Sequence, residues 1–274
     1  MLLHAELIND IDCCTLGHGE FALWWLGQHS FVLKSNDKIL YFDPFLSDHP
    51  DRLVPPLLDP SEIAHADFVF GSHDHIDHID HDAWIKMAPL NRKTRFVVPE
   101  LLRNDLLGKM KIDPAQMIGS DDNLSIDIGG LRITGIASAH EFFDQEKSTQ
   151  RFPYLGYIVS VGGLNIYHSG DTCAYDGLQR KLEQWNLDVV FVPINGRDAV
   201  RFRSGCAGNM TYQEAADLCG VIEPGLIVPG HYGMFEFNTV DPELFSEYVG
   251  VKYPKLALCM CNPGVRYVFK KRNR

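Results

Sequence analysis

The sequence lacks any apolar run long enough to cross a membrane, and no Gly/Ser linker, charge block or low-complexity tract interrupts it. A transmembrane helix needs about 20 consecutive apolar residues. The first residues also lack the basic segment and the continuous apolar segment of a secretory signal. From these absences we expect no membrane partner, a cytoplasmic protein, and a single domain over residues 1–274.

Basic residues are scarce as well. Lys and Arg number 25 against 36 Asp and Glu, which gives a formal net charge of −11. Nucleic-acid backbones are bound by clustered Lys and Arg, and the sequence has no such cluster beyond residues 270–272. We therefore expect no nucleic-acid partner, although a few local arginines would suffice for a small anionic substrate.

The seven cysteines do not have the pattern of a disulfide framework, because their number is odd and includes the adjacent pair Cys13 and Cys14. Cys259 and Cys261 have the spacing of a metal or redox pair. They lie in the apolar run 256–261, however, and we interpret them as small buried thiols.

One short stretch, GSHDHIDH at residues 71–78, is dense in metal-ligand side chains and directly follows the apolar run Phe68–Phe70. In an extended segment, residues two apart project to the same side roughly 6.5 to 7 Å from each other, so His73 and His75 can bind one ion from one face. Neutral imidazole and carboxylate are the ligands that borderline divalent metals prefer. The alternative is a polar turn with solvated histidines, but the complete H-x-H-x-D-H pattern favours a metal site at a strand end.

Further ligand-type side chains follow apolar runs later in the chain. Residues 133–139 lead into His140, residues 164–170 into Asp171, and residues 226–230 into His231. Several strands that deliver side chains to a common edge of a sheet produce this pattern. The sequence therefore predicts that these side chains join the histidines of residues 71–78.

The ordered set resembles the binuclear site of the metallo-β-lactamase-fold hydrolases. Its members are His73, His75, Asp77, His78, His140, Asp171 and His231. The resemblance implies two divalent metal ions, manganese or zinc: one held by His73, His75 and His140, the other by Asp77, His78 and His231, with Asp171 as the bridge. It also implies an α/β fold, the αββα four-layer sandwich, with the site along one edge between the sheets.

Two further stretches narrow the resemblance. The segment FALWWLGQHSFVLKS at residues 21–35 looks like the first hairpin of the bacterial L-ascorbate-6-phosphate lactonase group, and residues 73–80, 167–171 and 208–211 resemble that group also. This implies a hydrolase of carbohydrate metabolism that opens a sugar-derived, phosphorylated lactone by attack of a metal-bound hydroxide. The alternatives are a binuclear-metal phosphodiesterase for a small phosphodiester and, from another class, a non-catalytic binding protein with a structural metal.

Three aspartates have predicted roles beside the ions. By the resemblance, Asp171 bridges the metals, and Asp43, at the end of the third predicted strand, supports the metal-binding loop. Asp77 is the predicted proton shuttle to the leaving group, and Asp74 is a weaker candidate, as are the histidines at 29 and 168.

The predicted anchor for an anionic sugar lies after the strand at residues 189–193. Asn195, Arg197 and Arg201 fall at the same edge as Asp171, and the guanidinium fork suits phosphate. The alternative for each arginine is a structural ion pair or an exposed face. His49 and His81 are among five histidines for which we expect only surface or loop roles.

Local patterns also predict the elements that carry the site. Strands are predicted at 21–26, 31–34, 38–42, 95–98, 124–128, 131–138, 154–161, 164–167 and 189–193. Helices are predicted at 80–88, 99–107, 177–185 and 211–221, and the proline-rich residues 45–62 are predicted to be a loop that forms a wall of the substrate pocket. Residues 1–20 are expected to form a short helix or an N-terminal arm that packs on a neighbouring copy, which leaves a homo-oligomer open.

Overall fold

In a computed structural model, which describes residues 2–36 and 38–272, the chain forms two β-sheets with helices on their outer faces. The strands in these residues are β1 (Glu20–Gly27), β2 (Ser30–Ser35), β3 (Lys38–Phe42), β4 (Phe68–Phe70), β5 (Arg95–Pro99), β6 (Met117–Ser120), β7 (Ser125–Ile128), β8 (Leu131–Ala137), β9 (Leu155–Val161), β10 (Leu164–His168), β11 (Val189–Pro193), β12 (Leu226–Gly230) and β13 (Arg266–Lys270). The helices are α1 (His4–Cys13), α2 (His81–Met87), α3 (Glu100–Met110), α4 (Leu178–Glu183), α5 (Ala199–Arg203), α6 (Tyr212–Ile222) and α7 (Pro242–Lys252), with one 3-10 turn at Pro60–Glu62.

The strand order explains why one edge of the molecule collects strand ends. The first sheet has the order β13-β1-β2-β3-β4-β5-β6, and β3 to β6 run parallel. The second sheet has the order β12-β11-β10-β9-β8-β7, in which β10, β11 and β12 are parallel. Since β8 and β10 are each antiparallel to β9, the carboxyl end of β8 lies at the same edge as those of β10 to β12. Parallel strands carry functional groups at this edge.

The inner faces of the two sheets pack against each other through aromatic side chains. Phe31 of β2 stacks on Phe191 of β11 with their ring centroids 4.2 Å apart. The adjacent Trp24 and Trp25 are both buried, because neighbouring residues of a strand face opposite ways: Trp25 faces the second sheet, and Trp24 faces α1. Both tryptophans therefore belong to the core.

Helices cover both outer faces. On the first sheet, α1, α2 and α3 bury residues such as Leu7, Trp84 and Leu106. On the second, α4, α6 and α7 bury residues that include Leu182 and Phe245. The order helix, sheet, sheet, helix confirms the predicted αββα sandwich. None of the helices in the described part of the chain is both long and apolar enough to span a bilayer.

The predicted elements are present, most of them within one or two residues of their predicted ends. Helix α6 has the predicted capping box, in which Glu214 N donates to Thr211 Oγ1 at 3.2 Å and Thr211 N donates to the Glu214 carboxylate at 2.9 Å. Residues 1–20 contain the short helix that was one of their two predicted alternatives. This helix, α1, packs on the first sheet of its own chain. The strands β6 and β13 and the helices α5 and α7 were not predicted.

Candidate metal centre

Four strand ends deliver the predicted ligands to one place. The loop after β4 carries residues 71–78, and single residues follow β8, β10 and β12. The loop after β4 is closed by Asp80, which caps α2 by accepting a hydrogen bond from Ala83 N at 3.0 Å. Gly170, before Asp171, has φ +56°, and a Cβ there would lie 2.6 Å from Ser72 Cβ. A glycine is therefore needed where β10 meets this loop.

All seven predicted ligands lie together. Their side chains form three overlapping groups in which the ligand atoms lie within 4.8 Å of one another: His73 with His75 and His140; His73 with His78 and Asp171; and Asp77 with His78 and His231. The first and third groups are the two ligand sets that the resemblance implied. Asp171 lies at the middle of the cluster.

Distances around Asp171 show its central position. Its Oδ2 atom lies 2.9 Å from His231 Nε2 and 3.8 Å from His140 Nε2, and its Oδ1 atom lies 3.4 Å from His78 Nε2. The side chain is only 3 % exposed. One carboxylate therefore faces histidines from both ligand sets.

Three buried atoms of the cluster have no hydrogen-bond partner in the described residues: His78 Nε2, His140 Nδ1 and Asp171 Oδ1. A buried polar atom without a partner is costly, and such atoms usually mark an ion, a water or a catalytic role. A lone pair on imidazole nitrogen and one on a carboxylate, aimed at the same space, are the donors of a divalent-metal site. The residues present therefore fit the metal ions that the sequence implied.

Burial and mutual interactions shift the pKa values of the ligand-type residues. Burial lowers the pKa of His73, and the neighbouring histidines lower it further, so that its imidazole is neutral at pH 7. Burial likewise lowers the pKa of His140. For Asp171 burial acts to raise the pKa, but His231 and His78 outweigh it and hold the pKa well below its ordinary value. Burial also acts to lower the pKa of His78, but Asp171, Asp77 and Asp43 outweigh it and hold that pKa well above its ordinary value. The carboxylate of Asp171 is thus ionised, and the imidazoles around it differ in their pKa values.

Asp43 supports the loop from behind, as the resemblance implied. Its buried carboxylate accepts hydrogen bonds from Ser72 N at 2.8 Å, from Ser72 Oγ at 2.6 Å and from His78 Nδ1 at 2.6 Å. Because a carboxylate only accepts, the last bond places a ring proton on Nδ1 of His78, so that Nε2 is the nitrogen that can bind a metal ion. Outer partners of this kind fix the tautomer and direction of a metal-binding imidazole.

Gln28 is a supporting residue that sequence reasoning missed. It is fully buried, its Nε2 donates to Asp77 Oδ2 at 2.8 Å, and its backbone oxygen accepts a hydrogen bond from His231 N at 2.7 Å. The only signal in the sequence is its position after Gly27 at the end of the first predicted strand. Two of the ligand-type residues are thus held by the turn between β1 and β2.

His29 and His168 lie behind the centre and do not line its pocket. Their rings are 4.3 Å apart, and His168 Nε2 lies 3.0 Å from the backbone oxygen of His29. Both side chains are fully buried. This placement suits a supporting role and gives neither histidine access to a substrate.

A pocket of about 490 Å³ opens above the cluster, within the range of small-molecule sites. Five of the seven ligand-type residues form its floor; His73 and His78 lie beneath it. Its walls come from Ile76, from the loop at residues 204–207, and from Phe235 and Phe237. The proline-rich loop, predicted to form a wall, contributes His49, for which only a surface or loop role was expected.

The predicted substrate anchors lie outside this pocket. Arg197 forms a bidentate ion pair with Glu214, at 2.7 and 2.8 Å. Arg201 donates to Asp198 at 2.6 Å and to the backbone oxygen of Asn195 at 2.8 Å. Each arginine thus forms the structural ion pair that was its alternative role, because a neighbouring carboxylate already binds its guanidinium group.

Asn195 does not line the pocket but contacts Asn238, which does. Asn195 Nδ2 donates to Oδ1 of Asn238 at 2.7 Å, and Arg201 Nη1 donates to the same oxygen at 3.3 Å. These two predicted anchors therefore position Asn238 and do not themselves reach the cavity.

Asp74 also lies away from the pocket. Its carboxylate is bound by His81 Nε2 at 2.5 Å and by Lys109 Nζ at 3.1 Å, in a separate depression. The Asp74 side chain lies between His73 and His75 in the sequence, and it points away from the side on which those two histidines meet. The geometry gives no support to a catalytic role for Asp74.

The fold and this centre define a class. Residues 22–231 match the model of the beta-lactamase superfamily domain, and the chain belongs to that family. It is a metal-dependent hydrolase of the metallo-β-lactamase fold.

Particular relatives agree with the class. The chain is similar to a UPF0173 metal-dependent hydrolase of Thermococcus kodakarensis, with 30% identity over 229 residues that cover 83% of this chain and 92% of the relative. It is 28% identical to a protein of the same description from Archaeoglobus fulgidus, over 90% of this chain and 98% of that one. Among solved structures, Igni18, a metallo hydrolase from Ignicoccus hospitalis, superposes with a TM-score of 0.73 at 21% identity, over 92% of this chain and 100% of that one, which shows the shared fold.

Proposed function

We propose that this protein hydrolyses a small lactone or a related carboxylic ester at a binuclear metal centre. The observation that carries the proposal is the unpaired, buried His78 Nε2 and Asp171 Oδ1 at the meeting point of three ligand groups, beneath a pocket of about 490 Å³. A closed structural site would leave no such pocket above its ligands. This arrangement favours a catalytic site over a binding protein with a structural metal.

In the proposal, His73, His75 and His140 hold one ion, Asp77, His78 and His231 hold the other, and Asp171 lies between them, as the ligand groups support. Manganese and zinc both accept this mixture of imidazole and carboxylate. When bound, two such ions lower the pKa of a coordinated water and polarise a substrate carbonyl.

The protein's own groups position this chemistry. Asp43 and Ser72 hold the loop of residues 71–78, and Gln28 holds one oxygen of Asp77. The Asp77 carboxylate lies in the pocket floor with its side chain 16% exposed. This exposure supports the proposal that Asp77 carries a proton to the leaving alkoxide of an opened lactone.

The narrower hypothesis, a phosphorylated sugar lactone such as L-ascorbate 6-phosphate in carbohydrate metabolism, rests on the sequence resemblance. Among the described residues that line the pocket, none is Lys or Arg. A phosphate group would therefore depend on the metal ions for its counter-charge. The geometry supports the ester bond of that substrate more than its phosphate.

The test is hydrolysis by purified protein loaded with manganese or zinc, followed by titration of released acid. The substrates are a simple lactone, a phosphorylated sugar lactone and a chromogenic phosphodiester. We expect lactone turnover that Asp171→Asn abolishes, together with about two ions per wild-type chain by elemental analysis. Turnover of the phosphodiester alone would establish the alternative class, and one tightly held ion without any turnover would favour a structural metal.

A further inference from the structure

The walls of the pocket carry information about the substrate that the metal ligands do not. We propose that the substrate is uncharged and carries an apolar group, and that Phe237 and Ile76 of the pocket wall bind this group. The inference rests on the proposed function, since it assigns the class of lactone or ester that enters the same pocket.

The first observation is that large apolar side chains stand exposed at the pocket. Phe237 is 57% exposed and Ile76 is 54% exposed, and both line the cavity. Ile76 lies in the sequence between His75 and Asp77, two residues of the pocket floor. Apolar surface of this kind at a functional pocket is typical of a binding site.

The second observation is that the aromatic wall has a rigid base. Phe237 stacks on Phe235 with ring centroids 5.4 Å apart and an interplanar angle of 27°. Phe235 is only 6% exposed, and it packs against Phe45 at 6.2 Å and against the edge of His49 at 5.7 Å. A ring held in this way presents a fixed apolar face at little entropic cost on binding.

The third observation concerns charge. The arginines nearest in sequence to the 204–207 wall, Arg197 and Arg201, are bound to Glu214 and Asp198. The charged side chains that line the cavity, apart from histidines, are the acidic Asp77 and Asp171. An anionic substituent would gain no cationic partner from these walls, whereas an apolar one would cover Phe237 and Ile76.

Binding to the metal-free protein tests the inference without any turnover. Calorimetric titration compares γ-butyrolactone with γ-decanolactone, which has six more carbon atoms. This difference is a hexyl chain of five methylene groups and a terminal methyl group. A half-buried methylene improves affinity about twofold, so γ-decanolactone should bind at least about 30-fold more tightly. Phe237→Ala should weaken the binding of γ-decanolactone about tenfold and change the affinity for γ-butyrolactone less than about twofold.

The control is Phe202→Ala. Phe202 is the same residue type, is 51% exposed, and lies on α5 outside the pocket lining. The Phe202→Ala variant should bind both lactones with wild-type affinity. Thermal unfolding should show that the Phe202→Ala and Phe237→Ala variants both keep the fold. Equal affinity for the two lactones, or an equal loss in the Phe202→Ala variant, would overturn the inference.

The metal-loaded protein separates this inference from the proposed function. If no lactone is hydrolysed but the chain-length preference and its loss in Phe237→Ala persist, the proposed function fails and the apolar pocket stands. If a phosphorylated sugar lactone is hydrolysed faster than γ-decanolactone, and Phe237→Ala leaves both rates unchanged, the lactonase proposal stands and the apolar substrate is refuted.

Discussion

Replacement of Asp43 by asparagine should weaken the metal centre without touching any ligand. The carboxylate accepts three hydrogen bonds, two from Ser72 and one from His78 Nδ1. Asparagine keeps one oxygen, which can still accept from Ser72 N. The second oxygen becomes an NH₂ group that faces His78 Nδ1. His78 must then accept at Nδ1 and carry its proton on Nε2, the atom directed at Asp171.

The expected magnitude follows from this change of tautomer. Loss of an outer partner of a metal-binding histidine costs about 10–100-fold in metal affinity. That range corresponds to about 1.4–2.8 kcal/mol. The free energy of unfolding of the metal-free protein should fall by about 1.5–3 kcal/mol, because one charge-assisted hydrogen bond to a buried imidazole is lost.

Asp80→Asn is the matched control. Asp80 is also a buried carboxylate in this region, and it accepts hydrogen bonds from Leu46 N, Ser47 N, Ser47 Oγ and Ala83 N, none of which belongs to a predicted ligand. The assay is competition for zinc against a fluorescent chelator at constant pH, with urea unfolding of the metal-free proteins. We expect both variants to lose stability and only Asp43→Asn to lose affinity for one ion by tenfold or more.

Wild-type affinity for both ions in Asp43→Asn would refute this reasoning, because it would show that the Asp43–His78 bond does not set the tautomer. An equal loss in Asp80→Asn would attribute the effect to general loosening of the loop.

Three further predictions follow from the same geometry. Zinc or manganese at about 100 times its dissociation constant should stabilise the wild type by about 2.7 kcal/mol and raise its Tm by roughly 5–10 °C. The Asp171→Asn variant should lose most of this Tm shift. An undiminished shift in that variant would mean that the ions bind elsewhere. Gly170→Ala should lower the free energy of unfolding by about 2–4 kcal/mol, because the new Cβ would lie 2.6 Å from Ser72 Cβ at a residue with φ +56°. Gly130→Ala, with open space around the new Cβ, should lower it by only about 1–2 kcal/mol. Equal losses in the two variants would argue against the close approach of β10 to Ser72. Glu214→Ala should cost about 1–2 kcal/mol in urea unfolding, through loss of the capping box of α6, and leave metal affinity unchanged; weaker metal binding would mean that the Arg197–Glu214 pair is coupled to the centre.

The predicted strands and helices were recovered where the local pattern is strong. β3 and β11 have the predicted ends, and α6 begins at the predicted capping box. β6 and β13 were missed for different reasons. β6 is the short segment MIGS, which has little periodicity. β13 is recognisable as part of the fold only by its pairing with β1, more than 230 residues earlier in the sequence.

The partners of polar side chains were harder to predict from the sequence than the strand end at which each side chain lies. Arg197 and Arg201 follow β11 and so begin near the correct edge, but acidic partners on α6 and at the start of α5 turn both guanidinium groups away from the cavity. Gln28 shows the reverse case. It lies 49 residues from Asp77, and no local signal connects the two, yet its amide holds that carboxylate.

By itself the sequence determined the positions of most strands and the identity and order of the ligand-type residues, and its resemblance to the metallo-β-lactamase-fold hydrolases implied the sandwich. The first two are local properties: the alternation of apolar residues sets each strand, and the side chains directly after a strand share its edge. Only the tertiary structure decided which groups stand behind the ligands and which face the substrate. Those contacts join segments distant in the chain, such as Asp43 with His78 and Phe235 with Phe45, and their direction depends on how the loops pack after the sheets have formed.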